Sequence, residues 1–430
     1  MDALQTRIRP YAWGSRTALA LLQGRPAPTD GPEAELWVGA HPGAPSRLVR
    51  DGRTVDLHDV LAADPERELG PAVVAEFGPR LPYLLKVLAV EAPLSLQAHP
   101  DATQARAGFA AEEAAGIPLD SPARNYRDAS PKPELVCAVT PFEALCGFRP
   151  LPGTVRLMDR LTGRRSGAVL APYAEALRRG GESALREVVT SLLRLDGDAA
   201  RGLVAAVGDT CAKEAGAALG AFSSGSDVGW WDAAGDDPDT VVYACVADLA
   251  ERHPGDTGVV VALLLNHVRL LPGEAIFVPA GGLHAYLRGV GVEVMGNSDN
   301  VLRGGLTPKH VDADALLSVL RFTAAAVPPV EPVGDGTGTV RWPTPTREFS
   351  LARTTVDGDA VLLPAGVPQI VLCVEGEVRA VSGGTTVDLR GGAAAFVAAS
   401  DGSDSADGAV TLTGRGVVFR ASPGSVPVEP

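Results

Sequence analysis

Gly273-Glu274-Ala275-Ile276-Phe277-Val278-Pro279-Ala280-Gly281-Gly282-Leu283-His284 is the stretch on which the fold turns. Its apolar run is bracketed by glycine and proline, which reads as a strand, a tight turn and a returning strand. The spacing Gly273-x5-Pro279-x-Gly281-x2-His284 sets the histidine at the start of the returning strand, pointing into a small barrel. Alternation then puts His284 and Tyr286 on one face, Ala285 and Leu287 on the other. A lone histidine is more often a satisfied core or surface residue; the turn spacing singles this one out. The pattern recurs faintly as Gly392-Ala393-Ala394-Ala395-Phe396-Val397-Ala398-Ala399, so two related barrels are expected. The second copy has Ser403 where the first has His284, which confines metal chemistry to the first.

Outward from this stretch the chain alternates in texture. Residues 1–100 read as short strands and turns, including Glu35–Gly39 and Leu94–His99, followed by a helix near Asp101–Gly116. Strands resume at Glu134–Val139 and Ala144–Phe148. Between 151 and 255 the spacing becomes helical, with Leu185, Val188, Val189, Leu192 and Leu193 on one stripe, a pattern that core packing explains fully. A loop over 222–240 interrupts that block. Strands are expected again at Val268–Leu271, Ala275–Pro279, His284–Leu287 and Val292–Met295, a helix at 312–322, and short strands with glycine turns over 340–430. The expected architecture is mainly β with a helical insertion. Residues 1–150 and 256–322 would form one barrel, 151–255 the insertion and 323–430 a second barrel.

Composition narrows the function. The 430 residues suit two to four domains, and the 49 glycines and 35 prolines, about a fifth of the chain, fit many short strands and turns. A net charge of −14 without a basic block argues against nucleic acid and anionic membranes as partners. Apolar runs such as Val259–Leu265 are too short to span a bilayer, and the first residues lack an apolar signal core. Five cysteines without CxxC spacing make a disulfide framework or thiolate zinc site a poor fit, so a reducing cytoplasm is expected. Only four of the 38 basic residues are lysines, Lys86, Lys132, Lys213 and Lys309, and three of these flank the segments described next.

In Leu94-Ser95-Leu96-Gln97-Ala98-His99, alternation gathers Ser95, Gln97 and His99 on one face. Taken alone, an edge strand facing solvent would explain this. In Pro131-Lys132-Pro133-Glu134, Lys132 and Glu134 share a face, and a surface ion pair is the ordinary explanation. Glu293 sits between Val292 and Val294, and Arg303 precedes the pair Gly304-Gly305, which permits close backbone approach. Combined, these segments supply Gln97, His99, Glu134 and His284. Two imidazoles, a carboxylate and an amide oxygen suit zinc with one position open, and a formal site charge of +1 leaves the ion a strong Lewis acid.

Further stretches extend the pattern: Tyr11-Ala12-Trp13-Gly14, Glu35-Leu36-Trp37-Val38-Gly39-Ala40-His41-Pro42, Leu81–Leu88, Pro93–Pro100, Asn125-Tyr126, Lys132-Pro133-Glu134, Thr140–Glu143, Gly147–Pro150, Val278–Gly281 and Ser298–Arg303. In this order they resemble the type I mannose-6-phosphate isomerases (phosphomannose isomerases), over most of residues 8–150 and 270–312. The resemblance implies a double cupin, a pair of jelly-roll barrels, with a catalytic barrel, a helical insertion and a metal-free C-terminal barrel. It implies one Zn2+ per chain on Gln97, His99, Glu134 and His284, with Arg303 in the active site. Pro131 departs from the family, where many members carry histidine, and weakens any mechanism that uses a base there.

The reaction implied is interconversion of mannose 6-phosphate and fructose 6-phosphate through an enediol(ate), with a small-molecule sugar phosphate as partner. Zinc and Arg303 would stabilise the developing oxyanion. Lys132 or Glu293 would serve as base, and Lys86 and Ser95 would hold the phosphate, with Lys309 a weaker candidate. Two other readings compete. An iron-dependent cupin oxygenase needs open positions that Gln97 would fill, and a non-catalytic sugar-binding cupin has little use for Lys132, Glu293 and Arg303 around a metal.

Overall fold

The computed structural model of the protein describes residues 1–164, 166–216, 218, 220, 237–401 and 410–424. Two large antiparallel sheets of ten and nine strands dominate the described residues. The first is organised around one long strand, His284–Gly296, which pairs with Tyr83–Val90, Leu96–Ala98, Glu134–Ala138 and Phe142–Phe148. The expectation of separate strands at His284–Leu287 and Val292–Met295 is therefore corrected. The chain continues through a register shift between Tyr286 and Arg288, and Gly289 at φ +110° lets it bend from one set of partners to the other. At Gly281 (φ +75°) an added Cβ would stand 2.6 Å from the Val319 carbonyl oxygen, so the turn before His284 requires glycine.

Alternation along each strand decides what the barrel contains. Tyr83, Leu85, Val87 and Ala89 point to the second sheet, where they pack with Val292, Val294, Leu135 and Cys137 against Trp342, Phe349, Ile370, Phe396 and Phe419. Leu96, Ala98, Ala285 and Leu287 point the other way, into the core shared with the helices. The barrel is thus clamped by apolar contacts on both outer faces. The intervening residues, Lys86, Gln97, Glu134, His284, Tyr286 and Glu293, are left to face inward. One end of the interior is closed by an apolar plug that includes Leu88, Val90, Val136, Phe142, Ile276 and Val278. The other end is polar.

The helical block is present over 151–252, with helices Leu151–Thr162, Ala171–Arg178, Gly181–Leu193, Gly197–Ala215 and Pro238–Arg252. Its expected stripe of Leu185, Val188, Val189 and Leu192 is buried, with Leu193 packed at the margin. Part of the expected 222–240 loop is helical, because Pro238 opens a helix capped by the Asp237 side chain. Residues 222–236, and likewise Ser403, lie outside the described residues. The first hundred residues also hold short helices at Leu57–Ala63, Pro65–Leu69 and Pro71–Phe77 that strand-and-turn reading missed. The expected helix at 312–322 spans Ala313–Val319. Among the described residues, no helix is long and apolar enough to cross a membrane.

The second sheet repeats the first in one respect. Ala394–Val397 follows Gly392 (φ +78°) as Ala275–Val278 follows Gly273 (φ +90°). Two boundaries shift from the sequence expectation. Asp2–Leu4 pairs with Ala394–Phe396, so the first strand joins the C-terminal sheet. Ala325 and Val330 still bond to Phe148 and Ala275, so the chain leaves the first barrel later than residue 322.

Candidate metal centre and active site

Inside the polar end, the His99 Nε2 atom lies 3.2 Å from one oxygen of Glu134, and His284 Nε2 lies 3.1 Å from the other. One donor atom each from His99, Glu134 and His284 falls within 4.8 Å of the others, and all three side chains are buried. The far ring nitrogens fix the tautomers. His99 Nδ1 donates to the Asn300 carbonyl at 2.7 Å and His284 Nδ1 to that of Gly282 at 3.1 Å, leaving both Nε2 lone pairs for the centre. Burial, and after it the Lys132 ammonium, pushes the His99 imidazole down to about 4, so the ring is held neutral as a ligand must be. His99 Nε2 and Glu134 Oε2 have no hydrogen-bond partner. Buried polar atoms left unpaired cost stability, and a cation between them would satisfy both.

Gln97 completes the group from the neighbouring strand, directly opposite His284. Its Nε2 is 3.4 Å from His284 Nε2, and a half-turn of the amide would present the oxygen instead. The donor set of two imidazoles, a carboxylate and an amide oxygen therefore fits zinc. Among the described residues, the four side chains expected to meet do meet.

The remaining inward side chains form a second, charged layer. Lys132 Nζ lies 2.8 Å from Glu134, whose acid is held well below the usual carboxylate range; burial opposes this, and the Lys132 charge leads the groups that outweigh it. Lys86 and Glu293 face each other in register, with Nζ to Oε2 at 3.2 Å, and Glu35 stands 3.5 Å from the same ammonium. Burial opposes the Lys86 charge, but Glu35 and Glu293 hold its pKa above the ordinary lysine value. Glu293 is pushed upward, first by burial and then by the Glu134 carboxylate, against the pull of Lys86. Lys86, expected at the phosphate, thus stands between two carboxylates. Ser95 is half-buried, two residues before Gln97 and beyond the end of the strand Leu96–Ala98.

Arg303 lies on Leu302–Gly305 and pairs in register with Gln97, which brings the guanidinium's strand beside the metal ligands. Gly305 (φ +127°) would carry a Cβ 2.5 Å from Asp256 Oδ1, so this close approach excludes a side chain. Arg303 is lowered by burial and then by Arg127, and Lys309 by burial, Arg303 and Arg127. Three cations thus repel one another at the rim, and no carboxylate bonds the side chains of these three among the described residues. Sequence reasoning missed Arg127, which sits in an irregular loop with no periodicity to mark it, and gave Lys309 little weight. Tyr286 was placed on the His284 face without a role; its buried hydroxyl has no well-aligned partner, and burial followed by Glu293 raises it above the usual phenol range.

A barrel that buries two histidines and a carboxylate around a common point, beside an arginine, defines a metal-binding cupin. The chain belongs to the type I phosphomannose isomerases. The family's catalytic-domain model, phosphomannose isomerase type I, matches residues 1–151. Mannose-6-phosphate isomerase of Escherichia coli is 37% identical over 98% of this chain and 99% of its own length. The human mannose-6-phosphate isomerase is 29% identical over 93% of each chain. Among solved structures, a zinc-bound mannose 6-phosphate isomerase superposes with a TM-score of 0.81 at 34% identity, covering 99% of both chains. A second, bound with zinc and yttrium, also reaches 0.81.

Proposed function

We propose that this protein interconverts D-mannose 6-phosphate and D-fructose 6-phosphate, with one Zn2+ per chain held by Gln97, His99, Glu134 and His284. The observation that carries the proposal is the convergence of buried His99, Glu134 and His284 on one point in the barrel, with Arg303 one strand away. Family membership and the zinc in its solved relatives support the same reading.

The difficult step is removal of a proton from the carbon beside a carbonyl and its return to the neighbouring carbon, through an enediol(ate). Zinc, when bound, supplies Lewis-acid polarisation of the carbonyl. Arg303 stabilises negative charge on the same oxygen. Glu293 takes the proton: burial, and after it the Glu134 carboxylate, raises its acid above the ordinary carboxylate value, which makes it a stronger base. Lys86 keeps Glu293 in place, while Lys132 pairs with Glu134 at 2.8 Å beside the ligand set. The alternative base is Lys132. Arg127 and Lys309, unneutralised beside Arg303, meet the phosphate with help from the Ser95 hydroxyl.

A coupled assay with mannose 6-phosphate and mannose in parallel tests the proposal. Turnover of the phosphate ester alone, lost on chelation and restored by zinc, is expected; full activity in a verified metal-free sample would sink it. Glu293→Gln should abolish exchange of the substrate carbon-bound proton with solvent, and Lys132→Gln should retain measurable exchange. The reverse result would move the base to Lys132.

A further inference from the structure

The structure assigns a positioning role to Asn300: it locks the metal ligand His99 and the Arg127–Lys132 loop into one geometry. The Asn300 side chain is fully buried and uses its whole hydrogen-bonding capacity. Its Oδ1 accepts from the backbone N–H groups of Arg127 at 2.7 Å and Asp128 at 3.2 Å. Its Nδ2 donates to the carbonyls of Asp128 at 2.8 Å and Ser130 at 3.0 Å. Its own carbonyl receives the His99 Nδ1–H. One residue therefore grips four backbone groups of the loop, on Arg127, Asp128 and Ser130, and the back of a ligand imidazole.

The arrangement is reinforced on both sides. Asp128 Oδ2 accepts from the Asp299 N–H at 2.8 Å and lies 3.1 Å from the Ser298 hydroxyl, which in turn accepts from the Asn300 N–H at 3.2 Å. Lys132 follows the gripped segment by two residues, and Arg303 follows Asn300 by three. Without the amide, four polar backbone groups lose their partner at once, and the carbonyl that orients His99 is free to drift. A hydrogen-bonded group behind a metal ligand typically governs ~10–100-fold in metal affinity or activity. The Asn300 bonds go to the loop backbone and to the back of His99, so its action runs through His99, Arg127 and Lys132.

The assignment rests on the zinc-isomerase reading, and the parent enzyme measured in parallel keeps the two separable. If the parent binds no zinc or does not isomerise, that reading fails; if the parent does both and the variants match it, only the role of Asn300 fails. Asn300→Ala should weaken zinc binding by ~10–100-fold in competition with a chromophoric chelator. At saturating zinc it should also raise KM for mannose 6-phosphate. A role in folding alone would lower Tm and leave both constants at parental values, which would overturn the assignment. Ser298→Ala removes one hydroxyl from the same network and should shift zinc affinity in the same direction by less. Should Asn300→Ala fail to fold, Ser298→Ala decides, and parental zinc affinity and KM in that variant overturn the proposal.

Discussion

The two barrels start from one pattern and fill it with opposite chemistry. Ala275–Val278 and Ala394–Val397 are equivalent strands after equivalent glycines, buried but for the partly exposed Phe277. Inside the second barrel Val371, Cys373, Val378, Ala380, Val387, Leu389, Val397, Leu412 and Val418 close on one another as an aliphatic core. Inside the first, the corresponding space holds Gln97, His99, Glu134, His284, Lys86 and Glu293. Aliphatic filling stabilises a barrel at ~25 cal/mol per Å2 of apolar surface buried. Ionisable filling destabilises it until partners or a cation satisfy the groups. The first barrel tolerates that filling because apolar layers clamp it from both sides, the helical block on one and the second barrel on the other. The second barrel thus acts as a wall for the first.

That contrast can be broken in graded ways. The largest effect should come from Glu134→Ala, which removes the one anion shared by both histidines. Zinc content should fall to near zero by elemental analysis, with turnover lost, whereas a zinc-replete, active variant would show that the metal sits elsewhere. Next, Arg303→Ala should lower kcat by ~10²–10³-fold while zinc stays bound. A normal kcat would remove the guanidinium from the chemistry.

In the opposite barrel, Leu412→Ala should destabilise the protein by ~2–5 kcal/mol in denaturant titration, with kcat at saturating zinc essentially unchanged. A large loss of kcat in a folded sample would make the second barrel more than a wall. The smallest effect is expected for Lys309→Ala. KM for the sugar phosphate should rise several-fold and become less sensitive to salt, since an exposed cation acts through a screened field. Unchanged KM would move the phosphate away from the Arg127–Arg303–Lys309 rim.

Legibility followed periodicity. His284, His99, Gln97 and Glu134 were readable because each lies in or at the end of a strand whose apolar neighbours mark the opposite face. That Glu35 and Glu293 flank Lys86 could not be read in this way, since alternation shows where a side chain points and not what awaits it. Arg127 and Asn300 lie in loops, where no repeat announces direction, and their importance comes from bonds across some 170 positions of chain. The helices at 57–77 escaped because they are one or two turns long, too short for a 3.6-residue period to stand out.

Local sequence alone determined which side chains turn inward on each strand, where the glycine turns fall and which four residues have the chemistry to hold a cation. That much depends on alternation and on backbone sterics, both properties of a few neighbouring residues. Tertiary structure decided the rest: that Lys86 is neutralised while Arg303, Arg127 and Lys309 are not, and that the first strand belongs to the last barrel. Charge balance and burial are sums over everything that packs nearby. Those neighbours come from distant parts of the chain and meet only once it has folded.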